Sequence, residues 1–222
     1  MNYLVLIGDI VASKSIASRG ITQDNLSTVL NHLSATNPNL VSPYTITLGD
    51  EFQAVFSNAD SVFYETLEIL SAVYPEKIRF SFGLGEIHTK INQKIALGMD
   101  GPAFYNARDG IIKLKNSGDL YIIEGLSNPY KNLIQESISL YSFTCKNWNK
   151  NRLQVFTSLC SKEKFQNMGF EFQNSERALY KNIAKELQIS ERSIYKNIAM
   201  GNFQNINRLL IEITKAINED LQ

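Results

Sequence analysis

Apolar positions along the chain alternate between runs of strand length and stretches of helical spacing. Asn2 to Ile7 is a largely apolar run that predicts a strand, and Leu26, Val29, Leu30 and Leu33 then recur helically within Thr22 to Thr36. Pro38 and Pro43 interrupt the chain. Tyr44 to Leu48 and Glu51 to Phe56 follow as two β-rich runs on either side of Gly49-Asp50, a dipeptide that favours a hairpin turn. Val62, Phe63, Leu67, Leu70 and Val73 restore helical spacing over Asn58 to Tyr74, and Pro75 stops it. Ile78 to His88 alternates as a strand, Gly98 to Gly101 turn into a helix predicted over Pro102 to Lys115, and Leu120 to Glu124 reads as a last short strand. The order βαββαβ, extended by one αβ unit, predicts an α+β fold with a ferredoxin-like sheet over residues 1–126.

Beyond it the pattern is helical. Ser127 to Cys160 carries Leu133, Ile134, Ile138, Tyr141, Phe143, Trp148, Leu153, Phe156 and Leu159, and a polar linker, Ser161 to Asn174, completes a connecting segment over 127–174 that packs or dimerises. Trp148 lies among Lys146, Lys150 and Arg152, either stacked on a base or in the core. Ser175 to Met200 reads SERALYKNIAKELQISERSIYKNIAM, in which Ile183, Ala184, Leu187, Ile189, Ile194 and Ile198 reproduce the apolar skeleton of a helix-turn-helix. Ser190 is placed to cap the second helix. Gln188 stands where such turns usually carry Gly, so it must accept an uncommon backbone conformation or the turn must close differently. Asn207 to Leu221 predicts a final amphipathic helix that closes the bundle or forms a dimer seam, completing an all-α domain over 175–222.

Charge sharpens this division. The totals cancel at 22 basic and 22 acidic residues, but residues 1–145 carry 10 basic and 14 acidic side chains while residues 146–200 carry 10 basic and 5 acidic. An acidic front and a basic rear fit a small-ligand domain joined to a nucleic-acid-facing one, or simply two solvated surfaces. Two cysteines, Cys145 and Cys160, without a CxxC spacing or a His cluster, suggest neither a disulfide framework nor a zinc site. With no signal peptide and no apolar run near the roughly 20 residues that span a bilayer, the chain is expected to be cytoplasmic and without a membrane role.

The candidate chemistry lies in two carboxylate motifs, LIGDIVASK at Leu6 to Lys14 and ITLGDEFQAVF at Ile46 to Phe56. In a split βαβ unit the end of the first strand lies beside the start of the third, so Asp9 and Asp50 are expected to meet at one edge. Two close carboxylates raise one another's pKa unless a cation sits between them, and one or two carboxylates with nucleotide phosphates is the usual magnesium arrangement. Asp at a strand end and Gly-Asp in a hairpin are also ordinary turn chemistry that requires no metal.

These motifs, with RFSFGLGEIHTK at Arg79 to Lys90 and GMDGPAFYNAR at Gly98 to Arg108, resemble the palm-type catalytic domains of class III nucleotide cyclases and GGDEF proteins, and more closely the SatD family of bacterial proteins, over residues 1–125. The resemblance implies Mg²⁺ held by Asp9, Asp50 and the Ile10 carbonyl. It implies phosphates facing the Val11, Ala12 and Ser13 amides and Lys14, with Asn106 and Arg108 as further nucleotide contacts. The sequence departs from the cyclase pattern at Ile46, where adenine-selecting cyclases carry Lys. It departs again at Phe104, the position at which their Asn precedes the Arg by four residues. In the rear domain, Ser190, Glu191, Arg192, Ser193, Tyr195, Lys196 and Asn197 would be offered to DNA. Arg192 and Asn197 would reach base edges, and Lys181, Lys185 and Lys196 would meet phosphates; the same skeleton would also serve a helical packing or dimerisation module.

The expected function is a homodimeric DNA-binding regulator whose front domain binds a nucleoside triphosphate or cyclic nucleotide with Mg²⁺. The alternatives are an active nucleotidyl cyclase or polymerase-like enzyme, and a catalytically dead dimerisation scaffold.

Overall fold

The computed structural model describes residues 1–47, 49–160 and 177–222. Leu48, the linker expected over Ser161 to Asn174, and Ser175 and Glu176 lie outside the described residues. Five strands and eight helices are described: β1 (Asn2–Ile10), α1 (Arg19–Thr36), β2 (Leu40–Ile46), β3 (Glu51–Phe56), α2 (Val62–Val73), β4 (Ile78–Glu86), α3 (Pro102–Ser117), β5 (Tyr121–Glu124), α4 (Lys131–Lys146), α5 (Lys150–Cys160), α6 (Arg177–Glu186), α7 (Glu191–Gly201) and α8 (Phe203–Leu221). The chain is α+β, built on one mixed sheet in the order β2-β3-β1-β4-β5. Only the β4–β5 pair is parallel.

The predicted strands form, with two extensions that matter. β1 continues through Asp9 and Ile10, so Asp9 occupies a ladder position between Glu51 of β3 and Arg79 of β4. β2 begins at Leu40 and passes through Pro43, with register shifts between Leu40 and Thr45. A residue without an amide donor is tolerated there because β2 is an edge strand. α8 likewise starts four residues before Asn207, because Asn202 takes φ 52 and ends α7 in the left-handed region.

Even-numbered β1 residues face the main core. Leu4 and Leu6 pack there with Phe52, Phe56, Phe80 and Phe82 of the neighbouring strands and with Phe63 and Leu67 of α2. Gly8 sits between Phe52 and Phe80 on the ladder, and a Cβ there would lie 2.2 Å from the Phe52 ring. The glycine of the first motif is thus required by aromatic packing. Odd-numbered residues face α3, where Val5 and Ile7 pack with Val55, Ala103, Ala107 and Ile111. Gly83 brings α3 into backbone contact with β4: a Cβ there would lie 2.2 Å from the Ala103 carbonyl oxygen and 2.3 Å from the Ala107 nitrogen. The rest of this face is covered by the 87–101 loop, through Ser42 Oγ donating to the Asn92 carbonyl at 2.6 Å and Gln53 donating to the Ala96 carbonyl.

The boundaries expected at 126 and 174 do not separate two cores. One cluster of buried side chains runs from Leu4 to Leu221 and includes Tyr121, Tyr141, Trp148, Phe156, Ile183, Ile194, Phe203 and Ile217. Trp148 belongs to it, with ring centroids 5.2 Å from both Phe156 and Phe203. α8 is neither the lid of a separate bundle nor a free seam, since Phe203, Ile206, Leu210, Ile213, Ile217 and Leu221 are all buried within the chain. Its end is tied to the front of the protein. Asn218 accepts from the Ala59 amide and donates to Asp60, and Asp220 accepts from Ser127 and Asn2. The amphipathic stripe of a helix shows that it must be covered, not what covers it.

One buried polar group has a pH consequence. Glu65 of α2 accepts hydrogen bonds from Tyr44 Oη at 2.7 Å, Ser61 Oγ at 2.9 Å and Asn37 Nδ2 at 2.5 Å. Burial pushes its carboxyl up from 4.5 even though all three donors pull the other way. A folded carboxyl that holds its proton more tightly than the unfolded chain contributes stability that is complete below the unfolded pKa and is lost as pH rises through the folded one. Glu65→Gln, which carries no titrating proton, should therefore gain melting temperature relative to wild type as pH rises from 4.5 towards neutrality. A wild-type–variant difference that stays constant across that range would refute the assignment.

Candidate functional site

Asp9 and Asp50 come to the same edge of the sheet, as the split unit requires. The Ile10 amide donates to the Asp50 carbonyl at 3.0 Å, which locks the end of β1 to the β2–β3 hairpin, and the Ile10 side chain is buried in the core. Gly49 takes φ 68, and Gln23 of α1 donates to its carbonyl at 2.9 Å.

The carboxylates are not left facing one another. Asp9 Oδ2 accepts from Arg79 Nη1 at 2.9 Å and Asp9 Oδ1 lies 3.3 Å from Lys115 Nζ. Glu51, the ladder neighbour of Asp9, pairs with Arg108 Nη1 at 2.6 Å. Asp50 Oδ2 accepts from Ser13 Oγ at 2.5 Å. Asp9, Ser13 and Glu51 are buried, whereas the Arg108 and Lys115 side chains are 48 and 50 % exposed. Three acids and three bases therefore meet at one sheet edge, two of the bases on long, half-exposed stems.

The loop after β1 supplies the other half. Val11, expected to offer its amide to a phosphate, donates it instead to the Lys77 carbonyl at 2.8 Å. Ala12 takes φ 54, and a single 3-10 turn follows over Ser13–Ser15. The amides of Ala12, Ser13 and Lys14 have no partner among the described residues. A left-handed residue followed by a tight turn is a backbone form that gathers amide donors around an anion. Lys14 is exposed beside them.

Asn106 is not brought to this edge. Its amide donates to the Leu84 carbonyl at 2.7 Å, near the far end of β4, five ladder positions and about 17 Å from Arg79. It clamps α3 onto the sheet. Ile46 is exposed at the end of β2. Glu51, Arg79 and Lys115 belong to the cluster and were not picked out in the sequence. Only the seven-residue spacing of Arg108 and Lys115, which puts both on one face of α3, signalled any of them. Among the described residues no group of three His, Cys, Asp or Glu side chains could hold a metal unaided.

The basic rear presents a second candidate surface. α6 and α7 are joined by Leu187 to Ser190, and Gln188 takes φ 54, the uncommon conformation that this turn demanded of it. The Leu187, Gln188 and Ile189 amides return to the Ile183, Lys185 and Ala184 carbonyls, closing α6. Ser190 Oγ accepts from the Ser193 amide at 3.1 Å and caps α7. Ile183, Ala184 and Ile194 are buried between the helices, which leaves Lys181, Lys185, Arg192, Tyr195 and Lys196 exposed, with Glu191 and Ser193 half-buried beside them. Asn197 faces inward: it is buried, and its amide donates to the Ser193 carbonyl at 2.9 Å, so it is not available to a base edge.

A sequence model of the SatD family matches residues 3–206 of the chain. No curated protein matches it. None of the described helices is long and apolar enough to cross a membrane.

Proposed function

The chain belongs to the SatD family, and we infer that it is a DNA-binding regulator whose front domain, a cyclase-related palm, senses a nucleotide. The observation that carries the DNA-binding half is the α6–α7 pair. A four-residue turn with Gln188 left-handed, a Ser190-capped second helix, and Arg192, Tyr195 and Lys196 exposed on it support reading the pair as a helix-turn-helix whose second helix meets DNA. In this reading the exposed Lys181 and Lys185 on α6 would meet backbone phosphates and the exposed Arg192 a base edge.

The front site favours sensing over turnover. Both Asp9 oxygens are engaged by protein cations, Phe104 stands where the cyclase pattern places its Asn, and Asn106 is spent on α3 packing. The donor set fits Mg²⁺ only in company with phosphates, since two carboxylates and no third acidic ligand is the way this ion is held when a nucleotide completes its shell. Asp9 and Asp50 would hold the ion, which neutralises the phosphate charge. Arg108 and Lys115, being half exposed, would swing from Glu51 and Asp9 to the phosphate oxygens, and the Ala12 and Ser13 amides would cradle them. α5 packs against both α2 and α7, so a contiguous core links the two ends. Coupling then requires the nucleotide to bind two arrangements of that core unequally.

The test measures fluorescence anisotropy of DNA selected from a random pool, with and without a panel of nucleotides and Mg²⁺. Arg192→Ala should weaken binding to the selected sequence by about 1–3 kcal/mol, and Lys196→Ala should lower the salt slope by about 1. A nucleotide with Mg²⁺ should change the DNA affinity, and Asp9→Asn should remove that change. Equal DNA binding by wild type and the Arg192/Lys196 double variant would discard the regulator; turnover of a nucleotide that is abolished in Asp50→Asn would replace sensing with catalysis.

A further inference from the structure

We propose that the free edge of β5 takes up an extended, basic peptide as a further strand of the sheet. β5 ends the sheet on one side and β2 on the other. The β2 edge is blunted by Pro43 and by its register shifts, two devices that keep a sheet edge from pairing. β5 has neither, since its register with β4 is continuous from Tyr121 to Glu124. The Phe80 amide donates to the Leu120 carbonyl at 2.6 Å, which turns Leu120, Ile122 and Glu124 towards β4 and points the backbone groups of Tyr121 and Ile123 out of the sheet.

Those outward groups are incompletely used. The Tyr121 and Ile123 amides have no partner among the described residues, although the two residues are only 2 and 0 % exposed. The Ile123 carbonyl accepts from Gln135 Nε2 of α4 at 3.4 Å, a side-chain amide standing where the N–H of another strand would lie. Backbone donors withdrawn from water require acceptors, and these two floor a cleft of about 320 Å³ between α3 and α4. Extended main chain carries donors and acceptors at the matching spacing, so the floor specifies a strand. Leu114 of α3 and Ile138 of α4, both buried, line the two walls and give alternate side chains of that strand one apolar contact each.

The walls specify charge. Lys113 is paired with Glu124 at 2.6 Å, which leaves the carboxylates of Asp119 and Glu136 without a partner among the described residues. Lys146 approaches the Asp119 end, but its ammonium is held by the Gly118 carbonyl at 2.9 Å. A second copy pairing β5 with β5 about a two-fold axis would bring these acidic walls against their own equivalents, a like-charge contact that opposes association. Lysine or arginine side chains on the incoming strand match them instead.

The probe is a fluorescein-labelled octapeptide of alternating valine and lysine, added to the full chain and followed by anisotropy and by amide hydrogen exchange. It should bind, and binding should slow exchange at Tyr121 and Ile123. Replacing its lysines by glutamate, or methylating every peptide nitrogen so that no donor remains, should weaken it at least about tenfold. The Asp119→Lys/Glu136→Lys double variant should reverse the preference between the lysine and glutamate peptides at an unchanged melting temperature, because neither carboxylate holds a partner in the fold. Unaltered exchange at Tyr121 and Ile123 with the lysine peptide present would overturn the proposal, as would equal binding of the glutamate or the N-methylated peptide. Exchange at both amides that slows with protein concentration alone would also overturn it and give the edge to a second copy.

Discussion

Gly83→Val is expected to cost about 3 kcal/mol or more of stability, at the top of the range for overpacking, and to take the candidate site with it. The new side chain would enter space held by the Ala103 carbonyl oxygen and the Ala107 nitrogen, 2.2 and 2.3 Å from the position of its Cβ. Those are helix backbone atoms, which cannot rotate aside as a flexible side chain would, so α3 as a whole must lift. Arg108 and Lys115 ride on α3, and their pairs with Glu51 and Asp9 would lengthen together. The control is Gly20→Ala. Gly20 lies in the first turn of α1 with nothing within 4 Å of a Cβ, so this substitution should be neutral or stabilise by up to about 1 kcal/mol. Urea denaturation of both variants decides the matter; a Gly83→Val midpoint close to wild type would mean that α3 does not rest on β4 at that point.

Arg79→Met should cost about 2–3 kcal/mol, chiefly by leaving the buried Asp9 carboxylate with one weaker partner. The Arg79 and Asp9 side chains are only 17 and 10 % exposed, and the ladder places them directly opposite one another, so neither has another rotamer that restores the pair. Lys115 keeps the loss below that of a fully orphaned charge, but its ammonium is half exposed and 3.3 Å away. Asp9→Asn combined with Arg79→Met should recover much of the loss, because the penalty lies in the unpaired charge rather than in the absence of the pair. A double-mutant cycle in urea should show a coupling of at least about 1 kcal/mol; additive single effects would show that Asp9 draws its compensation from elsewhere.

The carboxylate edge was legible because its cause is local. Gly49-Asp50 sets a hairpin, an apolar run sets β1, and a split βαβ connection leaves their ends no other place to meet. What surrounds Asp9 was not legible. Arg79 reads in sequence as one exposed position of an alternating strand, and only the β1–β4 register, in which Asp9 opposes Arg79, turns it into a counter-ion. Lys115 is 106 residues from Asp9 in the chain and reaches it because Gly83 lets α3 settle on the sheet. Val11 and Asn106 show the converse. The resemblance implied ligand contact for the Val11 amide and the Asn106 side chain, yet the Lys77 and Leu84 carbonyls had already taken their donors.

At the rear, the sequence alone determined the α6–α7 skeleton, the Ser190 cap and the constraint on Gln188, since capping and a left-handed turn residue are matters of a few neighbouring positions. It also determined that α4 and α8 each carry an apolar stripe. Which stripe the chain covers itself was decided only in three dimensions: α8 is laid along the front of the protein and anchored by Asn218 and Asp220, so its stripe is consumed, and α4 is left with Leu133, Leu140 and Phe143 in solvent. Hydrophobic periodicity specifies that a face must leave water. The partner is set by chain connectivity and packing among residues distant in sequence, and no local pattern encodes it.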